Sequence, residues 1–484
     1  MSHTVRIARH QMAFEVLTQD QVGELLQAAY TILELVGCKV QHSEALKMLA
    51  DNGANVAGEV VRVPRHIVQA CVAAAPKGIV IYDRNGEPAL RLHGRNSYFG
   101  TSTASPNNMD ARTGEVRPTT LKDIERAARV ADALPNIDWV MPFGSAQDVP
   151  GEIAEVYEFD AVVRNTTKPI AFCGYSGKGV ARVFEMAAAV AGGMDALTAK
   201  PFVVAYPEPI TPLTYPYEVV ERILVAADRR QPQIPTGTQQ PGATAPITLA
   251  GALAQGAAES LMAVVLVQLR QKGAPVFMAC NIGGFNMDTG IMSMVPPESS
   301  LGLAAQAQLA QAVGLPTWGL AGATDSKAID AQAGAESAFS LLAQALAGLN
   351  LIHDVGYMDM GMCCSCDMLV LGDELIGWVR RFLQGIPVDE AAIGLDVIRK
   401  VGPAGNYLTQ KQTLHHFREA YWRPTLFSRE GRDAWVRKGS VDMSAKVHAK
   451  VLDLLDSHTP AALPVTAAEA LQRIITRVAE RQSH

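Results

Sequence analysis

The sequence predicts an α/β protein, a (β/α)8 TIM barrel with helical N-terminal and C-terminal additions, and three observations carry that reading. Short apolar runs recur roughly every 30 to 45 residues, the spacing of strand-then-helix units. There are eight such runs, the number a closed parallel barrel requires. Each run is continuous rather than alternating, as expected of a strand buried on both faces.

Residues 1–94 form a helical region with a hairpin. Helical periodicity covers residues 19–36, 43–53 and 64–75, and a hairpin follows near residues 79–92 with its turn at Arg84-Asn85-Gly86. The barrel occupies residues 95–385. Its strands are expected at 96–100, 138–143, 169–174, 201–207, 232–238, 275–281, 316–320 and 350–354. Proline opens several of them, where it forfeits no ladder hydrogen bond.

The helices between the strands have readable ends. Thr120 and Asp123 make a capping-box start, Leu121, Ile124, Ala128, Ala131 and Leu134 form one apolar face, and Pro135 stops the helix. A helix over 180–190 ends at Gly192-Gly193, and a long one over 250–271 ends at Gly273. Asp373-Glu374 reads as the start of a helix reaching Leu383, its acids matching the positive helix N-terminus. Residues 386–484 are a mostly helical extension that ends in an amphipathic stretch at 467–481. A doubly wound sheet is the alternative, but the Gly-rich phosphate fingerprint of such folds is missing.

A net charge of −6 gives no electrostatic reason to expect nucleic acid or an anionic membrane as partner. The longest apolar run, residues 261–269, is far short of the roughly 20 residues that cross a bilayer. Residues 1–11 lack the apolar segment of a secretory signal. Seven cysteines, an odd number, do not read as a disulfide framework, so a reducing cytoplasm is expected. An apolar fraction of 48% leads us to expect a homo-oligomer.

Several stretches together resemble the trimethylamine methyltransferase family. They are Arg62-Val-Pro-Arg65, Asp110-Ala-Arg-Thr-Gly-Glu115 with Thr119-Thr-Leu-Lys-Asp123, and Ala131-Asp-Ala-Leu-Pro-Asn-Ile-Asp138. Gly242-Ala-Thr-Ala-Pro-Ile-Thr-Leu-Ala-Gly251, Asp325-Ser-Lys with Asp330-Ala-Gln-Ala-Gly334, and Thr413-Leu-His-His-Phe-Arg418 extend the match over nearly the whole chain. The resemblance implies a barrel that passes a methyl group to the cobalt of a corrinoid (cobalamin) carried by a partner protein, with no tightly bound cofactor of its own. Members that demethylate trimethylamine carry pyrrolysine in the barrel, whereas this chain has only ordinary residues. That departure turns the expectation toward a quaternary amine such as glycine betaine.

Elementary chemistry favours the same substrate class. A quaternary ammonium leaves as a neutral tertiary amine, so no general acid is needed and the task is to orient the methyl and exclude water. Aromatic faces bind such a cation, each contributing roughly 0.5 to 2 kcal/mol. Tyr98, Phe99, Phe143, Tyr175, Tyr206 and Trp318 stand at expected strand C-termini, the catalytic face of such barrels. The competing role for each is simply to fill the barrel mouth. Glu208, Gln239, Asn281 and His353 are the polar candidates on that face. Glu208 could offset the ammonium charge or be a solvated loop carboxylate, and His353 could bond a substrate carboxylate or be a core histidine.

Other features have competing explanations. Cys363, Cys364 and Cys366 could hold zinc for methyl transfer, but no C-x2-C pair is present and small buried residues are the favoured reading. Lys327 could form a Schiff base in a barrel lyase if it were buried. His415-His416 reads as helix surface. A barrel that binds an amine without catalysis, and a trimethylamine-type reaction, complete the alternatives.

Overall fold

A computed structural model describes residues 12–481. The expectation about a leader rested on residues 1–11 and lies outside the described residues. Eight parallel strands close into a ring that can be followed by backbone pairing. Leu351 lies opposite Tyr98, Gly100 opposite Trp139, Val140 opposite Ile170, and Ile170 opposite Val203. Ala205 lies opposite Gln233 and Gln233 opposite Val276. The Met278 N–H donates to the Pro316 carbonyl at 2.9 Å, and Trp318 lies opposite Leu351. Each of the eight apolar runs supplies one strand.

Although the runs read as continuous, their side chains alternate. Tyr98, Trp139, Ala171, Val204, Trp318 and Leu351 point into the barrel. Phe99, Val140, Ile170, Val203, Ala205 and Ile352 point outward to the helices. Gly100 leaves the room Trp139 needs: a Cβ there would stand 2.2 Å from the indole ring.

The expected hairpin forms between Ile79–Tyr82 and Pro88–Leu92. Its residues Ile79, Ile81, Leu90 and Leu92 join the interior cluster and plug the N-terminal end of the barrel. The Arg91 N–H donates to the Tyr98 hydroxyl at 3.1 Å. What reads as a decoration in the sequence is the barrel floor.

The helices Gln19–Thr31, Ser43–Asp51 and Arg65–Ala74 pack about the 22-residue helix Leu249–Arg270 and share one core with it. That helix is long and apolar enough to cross a membrane by composition, yet 83% of its apolar window is buried inside the protein. A short strand, Cys38–Val40, pairs with Thr214–Tyr215 from the loop after barrel strand 4, tying the N-terminal region to the barrel.

Thr120 and Asp123 form the expected capping box, and Gly192, with φ of +92°, ends the helix Gly177–Ala191. One helix start requires correction. Asp373 and Glu374 lie inside the helix Cys366–Leu383, which Ser365 caps by accepting from Met368 N at 3.3 Å. Both acids have other employment. Asp373 accepts from Asn136 N at 2.7 Å, and Glu374 accepts the backbone N–H groups of Thr425, Leu426 and Phe427. In the C-terminal region, Met443–Ser457 packs on Cys366–Leu383, and Val465–Glu480 packs on Gly177–Ala191.

Candidate active site at the barrel mouth

The C-terminal ends of the barrel strands surround a cavity of about 220 Å³, room for about seven waters at ~30 Å³ each. A larger groove lies on the outer C-terminal region, but it is beside the end of the helix Cys366–Leu383 and away from the strand ends. The small cavity is therefore where chemistry on this fold belongs.

Four of the ten sequence candidates line it: Tyr206, Glu208, Asn281 and His353. Trp318 lies one layer below as their support, its ring centroid 4.9 Å from Tyr206 and 4.1 Å from His353. The other five are elsewhere, and side-chain direction is the reason for most. Phe99 and Phe143 belong to the outer cluster, Phe143 packing on the backbone of Gly356. Gln239 also points outward, donating to Glu259 Oε2 at 2.7 Å, while its neighbour Thr238 faces the cavity. Tyr98 points inward but is buried at the floor. Tyr175 stands half exposed at the outer rim, its hydroxyl 3.4 Å from Glu158.

The cavity is completed by residues that the sequence reading passed over, among them Thr103, Asp354, Tyr357, Met292, Met294 and Met360. Three devices bring them in. The first is a bulge in barrel strand 8, where the pairing register shifts between Ile352 and Val355 and Asp354 takes φ of +82°. A bulge suspends alternation, so His353 and Asp354 both line the cavity although they are adjacent in sequence. The second is a four-stranded sheet at the mouth, in which Tyr357–Met358 and Cys363–Ser365 join Asn107–Met109 and Val116–Pro118. The third is the hairpin Gly284–Asn286 with Ile291–Ser293, which leads into Met294. Asp325 fastens it by accepting from Met294 N at 3.0 Å and from the Ser293 hydroxyl.

The cavity is acidic. Its lining has two acids and neither lysine nor arginine. Asp354 is fully buried, and neither of its oxygens has a hydrogen-bond partner. Burial, reinforced by the nearby Glu208, pushes its carboxyl well above the ordinary range. Glu208 is reached by solvent through the mouth, yet protein surrounds it within the concavity. Burial there raises its pKa, opposed by the Tyr206 hydroxyl and by Arg222. His353 is neutral: burial lowers its pKa to about 3, and Nδ1–H donates to the Gly319 carbonyl at 2.9 Å.

The remaining candidates fall outside this cavity. Lys327 is exposed, bonding the Asp325 carbonyl at 2.8 Å and pairing with Asp359 at 3.4 Å, so it lacks the burial a Schiff-base amine requires. Cys363, Cys364 and Cys366 are buried. Burial pushes the thiol of Cys363 to about 11 and that of Cys366 to about 12, and the Cys364 sulfur lies 3.3 Å from the Ser102 hydroxyl. His415 and His416 are on the exposed helix Lys411–His416.

Comparison with known proteins identifies the family. The family model for trimethylamine methyltransferase (MTTB) matches residues 1–482. A trimethylamine methyltransferase MttB of Desulfitobacterium hafniense (strain DSM 10664 / DCB-2) is 31% identical over 460 residues, covering 95% of this chain and 92% of that protein. A glycine betaine methyltransferase of D. hafniense (strain Y51) is 31% identical over 469 residues, covering 96% and 97%. Among solved structures, the Methanosarcina barkeri monomethylamine methyltransferase superposes with a TM-score of 0.56 at 12% identity, covering 93% of this chain and 90% of that one. At that identity the structural likeness speaks for the fold alone.

Proposed function

This chain belongs to the trimethylamine methyltransferase family and is an enzyme, and we propose that it moves a methyl group from a quaternary amine to the reduced cobalt of a corrinoid held by a partner protein. Glycine betaine or a related betaine is the substrate class we favour, in line with the relative that carries that name. The observation that carries the proposal is the pairing of Asp354 and Glu208 in a cavity without lysine or arginine.

A buried acid with no partner is costly unless a counter-charge arrives. A quaternary ammonium supplies that charge beside Asp354, whose oxygens have no hydrogen-bond partner in the protein. Tyr206 and Tyr357 add ring surface to the same cavity. The amide of Asn281, whose Oδ1 is unpartnered, lines the same cavity. A carboxylate on the bound molecule would accept from the Asn281 amide.

The residues at the mouth also fit a flat macrocycle. Met287 and Met362 are exposed beside the hairpin and sheet of the mouth, and methionine adapts to irregular apolar surfaces. The corrinoid, when bound, supplies a strong nucleophile. The protein's share is to fix the ammonium against Asp354 and Glu208, aim one methyl outward and keep water away. No residue has to donate a proton, because the departing amine is neutral.

The test is a panel of quaternary amines and trimethylamine incubated with the enzyme and cob(I)alamin, followed by the absorbance change of the cobalt. Turnover of a betaine is the expected result. Turnover of trimethylamine alone would overturn the substrate class, and turnover of none would overturn the reaction.

A further inference from the structure

Residues 384–425 contain no buried residue, although they are rich in apolar side chains. Ile386, Val388, Leu408 and Tyr421 are each 79–80% exposed, and six further large apolar residues of this segment are 44–66% exposed. Bare apolar area on this scale is unusual for a protein surface left open to water and marks an interaction face. The segment is nevertheless built as three short helices, Glu390–Ile393, Leu395–Val401 and Lys411–His416. Helices of four to seven residues do not hold in water by themselves, so this arm is shaped for a surface outside its own fold.

Both ends of the arm are pinned at one place. It leaves the helix Cys366–Leu383 and returns where Glu374 holds the turn at Thr425–Phe427. Beside these anchors opens a groove of about 1120 Å³. Trp378, Phe382 and Phe427 line it together with Arg381, Arg429 and Lys446, and the arm's own two ends, including Ile386, Tyr421, Trp422 and Arg423, complete its wall. Its single acid, Glu430, is already paired with Lys438 at 2.6 Å. The groove is thus basic and aromatic on a chain whose net charge is −6. The leading part of the arm has the complementary character: Asp389, Glu390 and Asp396 are exposed among Ile386, Val388 and Leu395.

We propose that the arm of one copy of this chain docks in the groove of a second copy, in a reciprocal exchange. One surface carries both halves of the match, as a two-fold interface demands. Stable interfaces bury about 800 Å² on each partner, and the bare apolar side chains of the arm outside the groove, such as Val388, Leu408 and Leu414, are the material for it. The contact also leaves catalysis free. The groove adjoins the end of Cys366–Leu383 where Arg380 pairs with Asp138, and it shares no lining residue with the mouth cavity.

The mass of the full chain, measured by light scattering and sedimentation over a dilution series, tests this. The unmodified protein is expected to be a dimer or a multiple of one. Glu390→Lys with Asp396→Lys, and separately Arg423→Glu with Arg429→Glu, should each weaken assembly by at least about tenfold through like-charge contact. Mixing the two variants should restore a mixed assembly, which a merely misfolded protein could not do. A single-copy mass for the unmodified chain at every concentration would overturn the proposal and assign the face to a different partner. So would an assembly indifferent to both charge reversals.

Discussion

Nε2 of His353 lies 3.1 Å from Oδ1 of Asp354, the next residue in the chain, an approach permitted by the bulge that turns both side chains into one cavity. The two are close without the alignment of a hydrogen bond, and Asp354 remains without a donor. Nδ1–H is committed to Gly319, so only a proton on Asp354 could join the pair. With burial raising the acid and lowering the histidine, the empty site holds the two as a neutral couple.

Asp354→Asn follows directly from that strain. An acid whose pKa is raised by folding contributes stability that is full below its unfolded value and is lost as pH rises through the folded one. The amide should therefore stabilise the protein by about 1–3 kcal/mol, most visibly at neutral pH and above. It should also weaken quaternary amine binding by at least about tenfold. Thermal unfolding and calorimetric titration read the two effects. A variant that binds normally would remove Asp354 from the cation site.

Ligand affinity should depend on pH with a definite sign. Asp354 and Glu208 both have raised pKa values, and a cation binds their ionised forms. Binding should strengthen as pH rises and fade as pH falls through those values, by up to about tenfold per pH unit for each group titrating. The other titratable groups facing the cavity are His353, Tyr206 and Tyr357, all held neutral by burial. Titration calorimetry in two buffers of different ionisation enthalpy should show proton release when tetramethylammonium binds. Proton uptake would contradict the charge assignment.

The strand count was legible because burial on both faces makes each strand an unbroken apolar run. The same property hid which face each residue takes. Phe99 and Gln239 are one position out of phase with Tyr98 and Thr238, and nothing in a continuous run distinguishes the two registers. Asp354 was in view beside His353, but a bulge is set by backbone pairing across strands and leaves no local signature. Tyr357, Met292 and Met294 reach the mouth through sheets and hairpins added to the barrel loops, which the spacing of apolar runs does not encode. The misplaced helix start has a similar cause. Acids at Asp373 and Glu374 imitate an N-terminal turn, whereas the true cap, Ser365, is the last residue of the short strand Cys363–Ser365.

Gly100→Ala probes barrel closure. The added Cβ would stand 2.2 Å from Trp139, whose ring is itself 5.3 Å from that of Trp318. Crowding propagates through this stack to Tyr206 and His353. Overpacking of this kind costs about 1–3 kcal/mol, and here it should also reduce substrate affinity. A denaturation midpoint equal to the unmodified protein's would mean that the interior is looser than these contacts imply.

Glu374→Ala should loosen the return end of the exposed arm. Its carboxylate accepts from the N–H groups of Thr425, Leu426 and Phe427 at 2.9–3.2 Å and from the Thr425 hydroxyl at 2.6 Å. Truncation leaves these donors without an acceptor, a loss of about 2–4 kcal/mol. Because Glu374 is on the same helix as Trp378 and Phe382, the turn it holds also fixes one wall of the basic groove. Protease should then cut within 384–430 faster than in the unmodified chain, while amine binding at the distant mouth stays unchanged. Glu374→Gln keeps one acceptor oxygen and should lie between the two. Equal protection in all three proteins would mean that the arm is held by something other than this carboxylate.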